Sequence, residues 1–224
     1  MAAHHPHQRR WHVTGTERVT AFSDGVYAIA ITLLVLDLRL PELPATATAD
    51  ELTAALIGLS PKLFAYALSF VVIGFLWITH HRIFAFIRRC DSTLLWLNLL
   101  VLLLVAILPF PTVVLGSHGS LAPAVVLYAS TFALISTSQL LLWVYASRWG
   151  RLVDPDLDPR VVTYNNLRGL SALLIWLLSI PLAFVDTGLA MFSWMLLGVT
   201  ARIITHIYSR EDSEEREALE AADQ

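Results

Sequence analysis

Asp24 and Arg18 stand at the foot of a long apolar run, Gly25-Val-Tyr-Ala-Ile-Ala-Ile-Thr-Leu-Leu-Val-Leu36, where charged groups are out of place. A carboxylate in hydrocarbon costs about 2.5 kcal/mol or more, so it faces a bundle interior or a water path and recruits donors. Trp77, His80 and Asn98 offer an indole N–H, an imidazole and an amide from two further apolar runs. Counted inward at about 1.5 Å per residue, all four residues fall in the inner third of a bilayer, and they are expected to form one network. Such a network could handle protons, or it could simply tie helices together, a role worth about 0.6 kcal/mol per hydrogen bond.

Other chemistries are disfavoured by the same inventory. His80 and His81 suggest a metal site or a proton relay, but neighbours on a helix point about 100° apart and cannot easily share one ion. Cys90 is the single cysteine, which excludes an intrachain disulfide or a cysteine-based metal site. No serine or cysteine nucleophile stands near a base, so no enzyme, cofactor or bound metal is expected. The net charge of −3 gives no sign of a nucleic-acid partner.

These residues must be positioned by membrane helices. Hydrophobic residues make up 56% of the 224 and charged ones 15%, with a mean hydropathy of +0.64, which marks an all-α integral membrane protein. Six apolar segments are read at 17–40, 60–86, 93–115, 121–147, 168–186 and 188–208, each near the ~20 residues that a bilayer core requires. The expected organisation is a cytoplasmic leader at 1–16, a six-helix domain at 17–208 and an acidic cytoplasmic tail at 209–224. The leader histidines His4, His5, His7 and His12 read as a flexible polar tract, and Glu211 to Asp223 as a solvated helix or disordered end. The first segment is too long for a signal peptide and lacks a small-residue cleavage site.

Arginines alternate from loop to loop. Arg9, Arg10 and Arg18 precede the first segment, Arg82, Arg88 and Arg89 follow the second, and Arg148, Arg151, Arg160 and Arg168 lie between the fourth and fifth. Arg202 and Arg210 close the sixth, whereas the loops at 116–120 and 186–188 carry no Lys or Arg. By the positive-inside rule both termini are expected to be cytoplasmic.

Within the first segment, helical geometry places Leu33 about 40° and Leu36 about 20° from Ile29, with Asp24 about 140° away. One stripe is therefore purely aliphatic and the acid points elsewhere. Thr32, about 60° from Ile29, could offer its hydroxyl beside the stripe or bond its own helix. Arg18 projects near the stripe's foot, where it would repel a cation unless its side chain turns back to Glu17 or Asp24. Asp37 could concentrate cations at the outer end, pair with Arg39, or cap the helix.

Arg18-x-x-x-Phe22-Ser23-Asp24 at the start of the first of six spans, together with Trp77-Ile-Thr-His80-His81-Arg82 closing the second, resembles the transmembrane protein 175 family of potassium channels. The resemblance implies a prokaryotic member with one six-helix repeat, assembled as a homotetramer around a pore lined by helix 1. It implies a constriction of bulky aliphatic side chains at Ile29, continued by Leu33 and Leu36 with Thr32 beside them, in place of a carbonyl filter; no T-V-G-Y-G loop occurs. It makes Arg18, Phe22, Ser23, Asp24, Trp77, His80 and Asn98 a pore-organising network, and Asp37 a candidate outer cation ring. The function implied is passive, weakly selective potassium conduction, whose partners are other copies of the chain, membrane lipid and K+. The competing reading is a proton-coupled secondary transporter using Asp24 and His80, for which Pro181 could supply a helix kink.

Overall fold

The computed structural model describes residues 15–148 and 152–222, with 210–222 described by backbone alone. Arg9, Arg10, Arg151 and the leader histidines lie outside the described residues. Among the described residues, six helical spans are long and apolar enough to cross a membrane: Thr16–Asp37, Ser60–Phe86, Ser92–His118, Ala122–Ser147, Pro159–Ala183 and Thr187–Ser209. The described α-helices are α1 (Thr16–Leu33), α2 (Ala49–Gly58), α3 (Ser60–Phe86), α4 (Ser92–Ala106), α5 (Pro109–His118), α6 (Ala122–Ser147), α7 (Pro159–Ala183), α8 (Thr187–Ser193) and α9 (Leu196–Ala222); α2 lies between the first two spans and the others build them.

Several expected boundaries move, each for a local reason. The first span stops being α-helical at Leu33 and tightens into a 3₁₀ turn over Leu34–Asp37, so 38–40 lie beyond it. The third span breaks at Ile107 and Leu108, because Pro109 has no N–H to donate and begins a new helix, α5, instead. The fifth begins at Pro159, not 168, with Asp158 capping it through the Arg160 amide at 2.8 Å. Arg160 and Arg168 thus lie on α7 rather than in a loop. The sixth breaks after Ser193 and resumes at Leu196, and its backbone stays helical through Ala222 into the acidic tail.

The central helix is α6, with 14 of its 26 residues buried, whereas only 11% of the apolar core of the sixth span is buried. Around it, Tyr128, Phe132, Trp176 and Trp194 form an aromatic cluster in which Phe132 stacks on Trp176 at 4.7 Å and Tyr128 on Trp194 at 4.9 Å. The Tyr128 hydroxyl lies 2.9 Å from that of Ser69, which is 2.9 Å from that of Thr112, and so joins α6, α3 and α5. Buried hydroxyls in hydrocarbon must find such partners. At the arginine-rich end, Ile87 pairs with Val153, and the Arg88 and Arg89 amides donate to the Leu152 carbonyl. Asp91 caps α4 through the Leu94 amide at 2.9 Å and accepts the Tyr145 hydroxyl at 2.6 Å.

At the opposite end the short α2 is started by a reciprocal cap. The Thr48 amide donates to Glu51 at 2.7 Å and the Glu51 amide to the Thr48 hydroxyl at 3.3 Å. The Thr48 amide and hydroxyl, both donating to the Glu51 carboxylate, hold that carboxyl below its ordinary range.

Helix α5 approaches α3 tightly at Gly116, where a Cβ would stand 3.2 Å from Lys62 Cα and 3.3 Å from Ala65 Cβ. Gly74 on α3 has nothing within 4 Å of such a Cβ. Gly116→Ala is therefore expected to lower the thermal midpoint of the purified protein, at a cost of about 1 kcal/mol. Gly74→Ala should leave it unchanged or raise it through helix propensity. Equal effects from both would contradict the tight α3–α5 contact.

Candidate functional site

Two faces of α1 do different work. Val19, Ser23, Tyr27, Ala30 and then Leu34 are buried, at spacings of four, four, three and four that trace one stripe against the bundle. The opposite stripe is open: Phe22 is 59% exposed, Ile29 60%, Leu33 42% and Leu36 56%, and Arg18 is exposed at its foot. Ile29, Leu33 and Leu36 therefore share a face, and the signature residues Arg18 and Phe22 share it with them.

The expected single network resolves into two clusters. In the first, the Trp77 indole donates to Asp24 Oδ1 at 2.7 Å, partly exposed. In the second, buried, the Asn98 amide donates to Ser23 Oγ at 3.0 Å while its carbonyl oxygen accepts from His80 Nε2 at 2.8 Å. Ser23 in turn donates to the Val19 carbonyl at 2.8 Å. No hydrogen bond links the two clusters, because Ser23 and Asp24 are neighbours on a helix and point about 100° apart. Among the described residues, Arg18 and Phe22 share no hydrogen bond with either cluster.

Since Asn98 presents its oxygen to His80, the imidazole carries its proton on Nε2. Its Nδ1 has no partner, and the ring packs among others, its centroid 4.5 Å from that of stacked Phe84 and 5.5 Å from that of Tyr27. His81 is exposed beside Trp77, with ring centroids 5.7 Å apart, and so does not share His80's surroundings.

The outer end of the first span also differs from expectation. Asp37 pairs with Lys62 at 3.6 Å rather than with Arg39, whose Nε donates to the Leu36 carbonyl at 3.1 Å. The 3₁₀ turn sets the acid against the start of α3, twenty-five positions away in sequence, so local spacing could not reveal the partner. The Thr32 hydroxyl bonds its own helix at the Ile29 carbonyl, 2.9 Å away.

Two polar features escaped the sequence reading. Tyr27 is fully buried, and its hydroxyl accepts from the Gln139 amide at 2.9 Å; Gln139 also reaches the Leu76 carbonyl at 3.1 Å, so α1, α3 and α6 meet there. The signal was Gln139 itself, an amide in a long apolar run. Toward the arginine-rich end, Arg82 and Arg168 both donate to the Tyr164 hydroxyl, at 3.3 and 3.0 Å, and each guanidinium lies 5.6 Å from the ring centroid. Arg168 also donates to Thr205 at 2.9 Å.

The chain is similar to known proteins. The family model described as endosomal/lysosomal potassium channel TMEM175 matches residues 18–109. A potassium channel of Streptomyces collinus is 38% identical over 186 residues, which is 81% of this chain and 89% of that one. The mouse endosomal/lysosomal proton channel TMEM175 is 44% identical over 98 residues, 42% of this chain and 20% of that protein. The crystal structure of a lysosomal potassium-selective channel TMEM175 homologue from Chamaesiphon minutus superposes with a TM-score of 0.73, at 32% identity over 84% of this chain and 97% of that one.

The split into two clusters can be measured. Double-mutant cycles on unfolding should show coupling between Ser23→Ala and Asn98→Ala of about 0.6 kcal/mol or more. Trp77→Phe and Asn98→Ala should add to within about 0.5 kcal/mol. Strong coupling in the second cycle would restore a single network.

Proposed function

This chain belongs to the TMEM175 family, and from that premise we propose that it is a passive, weakly selective potassium channel. The observation that carries the reading is its identity with a relative named as a potassium channel along nearly the whole length of both chains. The channel is a homotetramer around an axis formed by α1, embedded in the bacterial inner membrane with both termini cytoplasmic. It uses no cofactor and catalyses no reaction; its permeant ion is K+. Ile29, Leu33 and Leu36 line the path on the open face of α1, with Ile29 at the narrowest level.

A ring of aliphatic side chains works by exclusion. It dewets readily, and an ion passing it must shed part of its hydration shell, which penalises Na+ more than K+. With no carbonyl cage to replace the lost water, the preference is modest. The bond from Thr32 to its own helix leaves the apolar surface as the main determinant.

The buried cluster gives this surface its direction. A shift of α1 by one residue would swing Ile29 about 100° off the axis, and it would also break the bonds from Asn98 to Ser23. Ser23, His80 and Asn98 thus act as positioning residues, as does the Asp24–Trp77 pair. Arg18 must extend away from the axis along its flexible stem for cations to pass. Asp37, paired with Lys62, serves the outer mouth less as a free cation ring than as an anchor between the 3₁₀ turn and α3. A proton-coupled transporter would need Asp24 and His80 to exchange a proton; each is instead held by a different partner.

In proteoliposomes carrying a potassium gradient, the wild type should pass K+ faster than Na+ without an imposed proton gradient. Ile29→Ala should raise Na+ flux relative to K+, and an unchanged ratio in an intact tetramer would remove Ile29 from the filter. Asp24→Asn should reduce tetramer yield on size-exclusion chromatography while leaving ion preference in the surviving tetramers unchanged. Flux only under a proton gradient would favour the transporter.

A further inference from the structure

We propose that the cleft between α3, α6, α7 and α9 binds one anionic glycerophospholipid, its phosphate on Arg82 and Arg168 and the start of one acyl chain in the apolar crevice above them. The inference needs only that the chain spans a membrane, not that it conducts.

The first observation is electrostatic. Arg82 and Arg168 converge on one neutral phenol oxygen, that of Tyr164, and among the described residues neither has a carboxylate within 4.0 Å. Their bonded nitrogens lie about 6 Å apart or less, a separation that one phosphate can bridge with two charge-assisted bonds. Two cations held this close in a membrane protein repel each other and call for an anion. Arg82 and Tyr164 line an open groove of about 340 Å³, so an anion has access.

The second observation is a buried polar group with nothing to bond. Ser136 is 5% exposed, and its hydroxyl has no partner. Its neighbours Thr137 and Ser138 each bond the carbonyl four residues back, both at 2.8 Å. Ser136 instead lines a crevice of about 90 Å³ with Phe75, Leu140, Trp176 and Leu197, and Arg168 and Asn165 also line it. Asn165 lines the groove as well, so crevice and groove share a wall.

Register makes the two observations one site. Gly169 on α7 packs on Leu140 of α6, where a Cβ added to the glycine would stand 3.7 Å from Leu140 Cβ, so Ser136, one turn further along the antiparallel α6, is level with about Ala172. That level is eight residues, about 12 Å, above Tyr164, where a lipid bound by its phosphate would carry the first carbons of an acyl chain, just past its esters. A soluble anion would leave the apolar crevice unused. The crevice is too small for a whole acyl chain, so it seats the carbons nearest the glycerol while the remainder lies in the bilayer.

The test uses delipidated full-length protein in neutral detergent, with thermal unfolding followed alongside additions of phosphatidylglycerol, phosphatidylcholine or inorganic phosphate. Phosphatidylglycerol alone should raise the midpoint, and native mass spectrometry should show one retained copy per subunit. Arg82→Gln should weaken that response roughly tenfold, the size of one charge-assisted bond. Ala172→Phe, which fills the crevice and keeps both arginines, should also abolish it. An equal response to inorganic phosphate would make a free anion the occupant and overturn the proposal. An equal response to phosphatidylcholine, or an undiminished response in Arg82→Gln, would overturn it too. If Ala172→Phe does not fold, the Arg82→Gln titration decides.

Discussion

The side-chain amide of Asn98 is the constraint on which the arrangement of the first three spans depends. It sits 2% exposed in the bundle and uses both ends, donating to Ser23 on α1 and accepting from His80 on α3. In water each bond would be exchangeable for a solvent contact at little cost. In hydrocarbon no such exchange exists, so breaking either bond leaves a buried polar group unpaired. The energy of each bond is small, but the geometry it demands is strict: helices that slide or rotate past one another lose both bonds together. Apolar packing of Val19, Ala30 and Leu34 tolerates such rotation far better than the amide does.

Membrane helices can be read from sequence because the bilayer imposes a length and a polarity on each segment. The depth argument that grouped Asp24, Trp77, His80 and Asn98 drew on the same constraint, and it brought together residues that the structure places close to each other. It missed the division of the group because depth says nothing about azimuth. The 100° step that separates His80 from His81 also separates Ser23 from Asp24 and so divides the group. Tyr164, Asn165 and Arg168 lower the hydropathy of the early turns of α7, which hides the start of that helix from an apolar-run reading. The Asp158-Pro159 start signal lay in the sequence nine residues earlier. The Asp37–Lys62 pair depends on how a 3₁₀ turn meets the next span, which no local pattern encodes.

Unpartnered buried atoms carry different weights in such a bundle. His80 Nδ1 is an acceptor facing aromatic rings, and Trp194 Nε1 belongs to a ring packed at 4.9 Å and 5.3 Å against Tyr128 and Trp176. Both sit in places where the surrounding rings are fixed by their own packing, so neither atom could gain a partner without disturbing the core. Ser136 is different, because a rotation about a single bond would give it the backbone partner that Thr137 and Ser138 have taken. A hydroxyl that forgoes an available bond in the membrane interior has another use. Its position, in the crevice that Arg168 also lines, fits the proposal that this side of the bundle is completed by a molecule of its solvent, the bilayer.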